Sequence, residues 1–284
     1  MGNLFWIASY PKSGNTWMRA FIENYLQNLD QPVDINELFK LSTAETLAER
    51  FQLFVEKGKL STELSTEEIC AIRPLVHAHM ARQARGTLFV KSHNFLGEYK
   101  GFPLHNSSVT SGAIYIVRNP LDVAVSMANY FSYPIDEAIY HMAEEMSGTP
   151  NEALHVPQIM SSWSSHVQSW TAKAEAQILV LKYEKMLANP LKEFRKVVSF
   201  LGQRKDLKRL QKAVRFSSFK QLKAQEVKRG FVEKFENAQS FFRHGQQNEW
   251  REKLSDTQVR RIVNDHFEQM ERFKYLPPEF LTDK

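Results

Sequence analysis

The stretch that decides the fold is Leu4-Phe-Trp-Ile-Ala-Ser-Tyr-Pro-Lys-Ser-Gly-Asn-Thr-Trp17. Its first five residues form a short apolar run of the length and composition of a buried β-strand. Trp17, Phe21, Tyr25 and Leu29 then recur every four residues, which places them on one broad face of a helix. The stretch therefore predicts a strand, a tight loop and a helix in direct succession.

The loop between the predicted strand and helix has the composition of an anion-binding site. Gly14 lets the backbone approach a ligand, and a helix beginning near Asn15 presents free N–H groups and a positive dipole end. Lys12, Ser13 and Thr16 add a cation and two hydroxyls. A phosphate cradle is the functional interpretation, and a plain turn with a surface lysine is the alternative. The loop is not a Walker A motif, because its lysine precedes the glycine.

Three more apolar runs have the length of buried strands: Thr87–Val90, Ala113–Val117 and Ile178–Leu181. Long amphipathic segments separate them. One predicted helix opens at Asn119-Pro120 and runs to about Phe131, and another follows a capping box at Ser255-Asp-Thr-Gln258. Buried strands that alternate with helices predict an α/β fold with a central parallel sheet flanked by helices.

Charged or reactive side chains follow each of the four predicted strands. The first strand leads into the anion loop, the second into Lys91-Ser92-His93, the third into Arg118 and the fourth into Tyr183. Ligands of open parallel sheets bind beyond the carboxyl ends of the strands. We therefore expect these side chains to share one site.

Composition limits the classes of partner. The chain has 284 residues, 43% of them hydrophobic, and a net charge of +5. That modest charge suits an anionic small molecule, and the lack of a run of five basic residues argues against nucleic acid. Cys70 is the single cysteine, which excludes an intrachain disulfide and favours a reducing compartment. No apolar stretch is long enough for a membrane span. We expect one domain over residues 1–284 in the cytoplasm, with no membrane and no nucleic-acid partner.

The loop resembles the 5′-phosphosulfate-binding loop of sulfotransferases that use 3′-phosphoadenosine 5′-phosphosulfate (PAPS). In that family an Arg at the end of the third strand and a Ser eight residues later hold the 3′-phosphate of the nucleotide. Arg118 and Ser126 have this spacing. Without the resemblance, Ser126 could equally be a small residue packed within a helix.

Further segments resemble the family in the same order. Val90-Lys-Ser-His-Asn94 is similar to the segment whose His is the catalytic base and whose Lys contacts the transferring group. Tyr183 matches a nucleotide-binding Tyr. Ser217-Ser-Phe219 matches a segment whose ring stacks on adenine opposite Trp17. Phe242-Arg-His-Gly245 is similar to an R-K-G stretch that closes over the 3′-phosphate, with His244 in place of the usual Lys.

The resemblance implies a P-loop-like α/β fold and a cytosolic-type, short, bacterial-like sulfotransferase. The expected reaction transfers a sulfuryl group from PAPS to a hydroxyl or amine of a small molecule, by in-line displacement and without a metal. His93 is the implied base, expected to titrate near neutrality, and Lys12 and Lys91 are the implied catalytic cations. The implied donor-binding residues are Lys12, Ser13, Gly14, Asn15, Thr16, Trp17, Arg118, Ser126, Tyr183, Ser218, Phe219, Arg243, His244 and Gly245.

The sequence is compatible with more than one function, oligomeric state and role for its aromatic residues. A P-loop kinase acting on a nucleotide or small molecule is the alternative function, although the chain has no G-K-[ST] sequence. Monomer and homodimer are both compatible with the sequence. Aromatic residues between the second and fourth strands either line an acceptor pocket or pack in the core, namely Phe95, Phe102, Tyr130, Phe131, Tyr133, Trp163 and Trp170.

Overall fold

The structure is a computed structural model that describes residues 2–172, 177–235 and 238–280. The strands are β1 (Asn3–Ser9), β2 (Ser42–Ala44), β3 (Thr87–Ser92), β4 (Glu98–Tyr99), β5 (Phe102–Pro103), β6 (Thr110–Val117) and β7 (Ile178–Lys182). Five of them form a sheet in the order β2-β3-β1-β6-β7, in which every neighbouring pair is parallel. The remaining two form an antiparallel hairpin.

Helices cover the sheet. They are α1 (Asn15–Gln27), α2 (Ala48–Gln52), α3 (Thr66–Gln83), α4 (Pro120–Phe131), α5 (Ile135–Ala143), α6 (Trp163–Thr171), α7 (Tyr183–Ala188), α8 (Pro190–Phe200), α9 (Leu207–Phe216), α10 (Phe219–Arg229), α11 (Trp250–Lys253) and α12 (Asp256–Arg272). Within the residues that the structure describes, no helix is both long and apolar enough to cross a membrane.

The predicted α/β fold with a parallel sheet is confirmed, as are the four predicted strands, each of which is one to three residues longer in the structure. Two features were missed. β2 has only three residues, two of them hydroxylated, and pairs with β3 rather than showing an apolar run of its own. The β4–β5 hairpin is shorter still, with two residues in each strand.

Capping residues set the helix ends. Asn119 accepts a hydrogen bond from the Leu121 N–H at 3.1 Å, and Ser255 forms the expected capping box. α1 ends earlier than its apolar pattern predicts. Asn28 adopts a left-handed conformation with φ of 53°, so Leu29 lies beyond the helix and is 49% exposed.

The side chains on the two faces of β1 pack into two separate parts of the core. Trp6 packs with Tyr115 and Trp170 on one face of the sheet. Ile7 packs with Phe21 of α1 on the other face. Because successive side chains of a strand point to opposite faces, both faces of a central strand must be apolar. This explains the uninterrupted apolar run at the start of the chain.

A fully buried ion pair supports the segment that follows β3. Arg73 of α3 lies 2.5 Å from the carboxylate of Glu45, and neither side chain has any exposed area. Burial by itself raises the pKa of Glu45, but Arg73 and neighbouring groups lower it to about 2. The ionised Glu45 accepts a hydrogen bond of 2.6 Å from Asn94 Nδ2. The pair therefore fixes Asn94, the residue next to His93.

Replacing Glu45 by Gln should strongly destabilise the fold. The change leaves Arg73 as a buried charge without its partner, which costs about 3–5 kcal/mol of unfolding free energy. Urea denaturation measures this loss. The control is Glu67→Gln, which breaks the exposed pair with Lys100 and should leave the unfolding free energy almost unchanged. Equal losses in the two variants would show that the buried pair does not stabilise the protein.

Candidate functional site

The anion loop is held rigidly between β1 and α1. Lys12 and Gly14 both adopt left-handed conformations, with φ of 63° and 104°. Asn15 Nδ2 donates to the carbonyl of Ile7 at 2.8 Å and ties the start of α1 to β1. A Cβ atom on Gly14 would lie 2.8 Å from the Tyr183 ring, so only glycine fits there. Asn15 therefore offers a ligand its backbone N–H rather than its side chain.

The two hydroxyls of the loop are both buried. Ser13 Oγ donates a long hydrogen bond of 3.5 Å to the Pro11 carbonyl. Thr16 Oγ1 accepts a hydrogen bond of 3.2 Å from Arg19 Nη2, one turn further along α1. The loop and the first two turns of α1 thus carry two cationic side chains, Lys12 and Arg19.

Lys12 has aromatic neighbours. Its Nζ lies 3.7 Å from the ring centroid of Tyr130 and 4.0 Å from that of Phe241. Burial lowers the pKa of Lys12 to about 7, and the nearby cations Arg118 and Lys91 add to the shift. The two ring faces offset part of the free-energy cost of burying the Lys12 cation. An anionic ligand would offset far more of it.

Arg118 connects the end of β6 to the anion loop. Its Nη1 donates to the Lys12 carbonyl at 2.8 Å, and its guanidinium lies 4.5 Å from the ring centroid of Tyr183. The buried Arg118 Nε has no hydrogen-bond partner among the described residues. Burial lowers the pKa of Arg243, and Arg118 lowers it further, although Glu249 pairs with Arg243 at 2.5 Å. Two guanidinium groups are thus close enough to influence each other, an arrangement that suits a phosphate ligand.

The segment with Arg243 closes onto the start of α10. Gly245 has φ of 61°, and a Cβ atom there would lie 2.3 Å from the Phe219 ring. Ser218 precedes this ring and does not use its hydroxyl to cap α10. His244 is half-exposed and lies 4.0 Å from Glu249. Gly245 therefore packs directly against Phe219, while Arg243 and His244 lie beside Glu249.

Trp17 and Ser126 complete the set of expected donor-binding residues. Trp17 is half-buried, and its ring meets that of Tyr183 edge-on at 5.8 Å. Trp17 and Phe219 pack against the same small apolar cluster, as two walls of a site for a planar ring would. Ser126 is half-buried in the second turn of α4. Its contact with a phosphate stays a prediction.

His93 is held in one tautomer by the backbone. Its Nδ1 lies 2.7 Å from the Ser9 carbonyl, which can only accept, so Nδ1 carries the proton and Nε2 has the free lone pair. The His93 carbonyl in turn accepts from His166 Nε2 at 3.2 Å. Burial, followed by the charge of Lys91, lowers the pKa of His93 to about 3. The expectation of titration near neutrality is therefore wrong for this conformation, because the ring is desolvated beside cations.

Two charged residues that sequence reasoning missed join this site. Glu233 accepts from Lys91 Nζ at 3.1 Å and from Arg19 Nη2 at 2.6 Å. Arg19 could have been found, since it lies three residues after Thr16 on the same face of α1. Glu233 could not, because 142 residues separate it from Lys91.

The core alternative applies to two of the aromatic residues, and a third lies beside the anion loop. Trp163 and Trp170 are fully buried and belong to the core. Tyr130 faces Lys12 instead, and its hydroxyl donates to the Glu233 carbonyl at 2.8 Å. The core alternative is thus correct for the tryptophans, and Tyr130 belongs to the site.

A parallel sheet with a glycine-containing anion loop between its central strand and a helix defines a P-loop-like α/β protein. Comparison with known proteins is more specific. The family model for the sulfotransferase domain matches residues 3–274. The chain belongs to the sulfotransferase family.

Relatives of several kinds carry the same domain. The chain is 25% identical to human sulfotransferase 1C2, over 94% of this chain and 81% of that protein. It is 24% identical to flavonol 3-sulfotransferase of Flaveria bidentis, over 92% of this chain and 79% of that protein. A crystal structure of mouse sulfotransferase SULT7A1 complexed with PAP shares the fold, with a TM-score of 0.63, 21% identity, and coverage of 96% and 85% of the two chains. The protein is thus a sulfotransferase, and the kinase alternative is not favoured.

Binding of 3′,5′-ADP (PAP), the product left when PAPS gives up its sulfuryl group, should be accompanied by uptake of a proton at Lys12. At pH 8 most Lys12 is neutral, because its pKa is about 7, and a bound anion raises that pKa. Proton uptake should therefore be larger at pH 8 than at pH 6, and affinity should weaken as the pH rises above 7. Calorimetry in buffers of different ionisation enthalpy measures the uptake. If Lys12→Met takes up as many protons as the wild type, Lys12 is not the group that titrates.

Proposed function

We propose that the protein transfers a sulfuryl group from PAPS to a hydroxyl or amine of a small-molecule acceptor. The observation that carries the proposal is the gathering of four cations at the carboxyl edge of the sheet: Lys12, Lys91, Arg118 and Arg243. Buried cations repel one another, and a ligand with several negative charges relieves that repulsion. PAPS is such a ligand. Relatives that include a PAP-bound sulfotransferase structure support the choice of nucleotide.

We assign the donor groups to three parts of the site. The 5′-phosphosulfate would lie on the anion loop, held by Lys12, by the hydroxyls of Ser13 and Thr16, and by backbone N–H groups from Gly14 to Thr16. Trp17 and Phe219 would enclose the adenine, with Tyr183 and Ser218 beside it. Arg118, Ser126, Arg243, His244 and Gly245 would surround the 3′-phosphate. The unpartnered Arg118 Nε and Trp17 Nε1 are buried donors that fit a polar ligand, within the described part of the chain.

His93 is the proposed base for the acceptor. Its Nε2 can take the proton of a hydroxyl, since the Ser9 carbonyl fixes the other ring nitrogen as a donor. Lys91 and Lys12 would stabilise negative charge on the sulfuryl and bridging oxygens. PAPS supplies the activated sulfuryl group. Its negative charge next to Lys91 would also raise the pKa of His93, so that the base becomes stronger once the donor is in place.

We further propose that the chain acts as one sulfotransferase domain in the cytoplasm. The family match from residue 3 to residue 274 supports a single domain. Cys70, a buried free thiol, is compatible with a reducing compartment. Several relatives whose names state a small-molecule class, such as flavonol 3-sulfotransferase, support an acceptor of that size.

Arg118→Ala should weaken 3′,5′-ADP binding by about 1.5–3 kcal/mol, the usual contribution of a hydrogen bond between charged groups. Binding of 5′-AMP, which lacks the 3′-phosphate, should change far less. Calorimetry with both ligands tests this difference. The control is Arg209→Ala, because Arg209 bonds to carbonyls at the opposite end of α1. Equal losses of binding free energy for both nucleotides would show that Arg118 does not bind the 3′-phosphate.

His93→Ala and His93→Asn should lower kcat by roughly 10²–10⁴-fold with a saturating alcohol acceptor, since neither side chain can serve as a base. Binding of 3′,5′-ADP should stay nearly unchanged. A phenol that is already ionised needs no base and should be spared. The pH dependence of the wild-type kcat reports the pKa of His93 with the donor bound, which should lie above the value of about 3 in this conformation.

The matched control for His93 is His79→Asn, at a ring that packs against Phe54 away from the loop. This variant should keep wild-type turnover. If either His93 variant retains more than about a third of wild-type kcat, far above the expectation for general-base catalysis, His93 is not the base.

A further inference from the structure

One carboxylate bridges two cations beside the anion loop. Arg19 Nη2 lies 2.6 and 2.8 Å from the two carboxylate oxygens of Glu233, and Lys91 Nζ lies 3.1 Å from one of them. The Arg19 side chain is only 4% exposed and that of Glu233 is 26% exposed. A position that satisfies two cations with one carboxylate is a binding position for an oxyanion.

We propose that Arg19 is a further ligand of the transferring sulfuryl group. Until the donor binds, the Glu233 carboxylate occupies the position that the sulfuryl group will take. This inference rests on the proposed function, because it assumes that PAPS is the donor. Arg19 and Glu233 lie outside the motifs that the sequence analysis connected with the reaction.

Two contacts and one unpartnered donor place Arg19 at the reacting end of the site. Its Nη2 donates to Thr16 Oγ1 at 3.2 Å, within the segment assigned to the 5′-phosphosulfate. It shares the Glu233 carboxylate with Lys91, the cation assigned to the sulfuryl oxygens. Its buried Nε has no hydrogen-bond partner among the described residues, which leaves one donor for a ligand.

The electrostatics of the neighbours agree with this position. Burial and Lys91 are the larger causes of the low pKa of His93, and the positive charge of Arg19 adds to them. Arg19 is thus close enough to act on the proposed base. The negative charge of Glu233 has the opposite effect on the neighbouring cations, because it raises the pKa of Lys12 and of Lys91. The carboxylate therefore lies among the cations assigned to the phosphosulfate.

Glu233 and a sulfuryl group cannot both occupy this position. Each presents negatively charged oxygens, so a carboxylate kept between Arg19 and Lys91 would repel the donor. The backbone near Glu233 is held by Tyr130, whose hydroxyl donates to its carbonyl at 2.8 Å. Release of the side chain therefore does not require the segment to leave. The product 3′,5′-ADP lacks the sulfuryl group and should compete with Glu233 much less than PAPS does.

The test compares Arg19→Met with Glu233→Gln, which should have effects of opposite sign. Arg19→Met should lower kcat/KM for PAPS by roughly 10–100-fold, the range expected on loss of a charge-assisted hydrogen bond, and should change the Kd of 3′,5′-ADP by less than about threefold. Arg19→Lys should recover part of the loss. Glu233→Gln should tighten PAPS binding by roughly 3–10-fold and 3′,5′-ADP binding less, because a like charge is removed.

A purely structural ion pair predicts a different result. In that case both variants lower thermal stability and kcat/KM together, and Glu233→Gln weakens PAPS binding. That outcome overturns the inference, as does an Arg19→Met variant that keeps more than about a third of wild-type kcat/KM, against the loss expected for such a bond. The control is Glu67→Gln, at an exposed pair far from the loop in the sequence.

Failure of the inference can be told apart from failure of the proposed function. If the wild type binds 3′,5′-ADP and transfers sulfuryl groups while Arg19→Met and Glu233→Gln behave alike, only the inference falls. If the wild type neither binds 3′,5′-ADP nor transfers a sulfuryl group from PAPS, the proposed function falls and the inference falls with it.

Discussion

Electrostatic repulsion among buried cations at the carboxyl edge of the sheet is the interaction on which the site depends. β1 pairs in parallel with β3 and β6, so the residues that follow these strands are forced together. The sheet therefore fixes the backbone positions from which Lys12, Lys91 and Arg118 extend. The low pKa of Lys12 reflects burial first and, after it, the energetic cost of the nearby charges of Arg118 and Lys91. Ring faces and one carboxylate offset part of that cost, and the rest is available to bind an anion.

The position of His93 depends on the backbone more than on other side chains. The Ser9 carbonyl selects the tautomer, and the buried pair of Arg73 and Glu45 secures the neighbouring Asn94. Burial keeps the ring of His93 neutral, and the nearby cations Lys91 and Arg19 lower its pKa further. A donor that cancels their charge therefore also strengthens the base. Binding of the donor and the strength of the proposed base are thus coupled through charge.

Much of the fold could be predicted from the sequence, and so could the convergence of the main charged residues at one edge of the sheet. The four main strands are apolar runs bounded by loops, and their helices have recognisable caps, so local chemistry was sufficient. The convergence of Lys12, Lys91, His93 and Arg118 followed from the rule that parallel strands end at one edge. The assignment of the individual donor-binding residues remains a prediction.

Other features depend on contacts between distant parts of the chain. β2 is a strand only because β3 lies beside it. The Asn15 side chain looks like a ligand in sequence but bonds to the carbonyl of Ile7. The neutral state of His93 and the pairing of Glu233 arise from burial and from segments far apart in sequence. No local pattern encodes either of them.

The placement of the tryptophans gives the protein an optical property. Of the five, all of which lie in the described residues, Trp6, Trp163, Trp170 and Trp250 are buried in the large core cluster. Trp17 is half-buried at the mouth of the anion loop, edge-on to Tyr183. Four indoles thus contribute a steady background emission while one samples the surroundings of the loop. The chain carries its own fluorescent reporter of that site, without any added label.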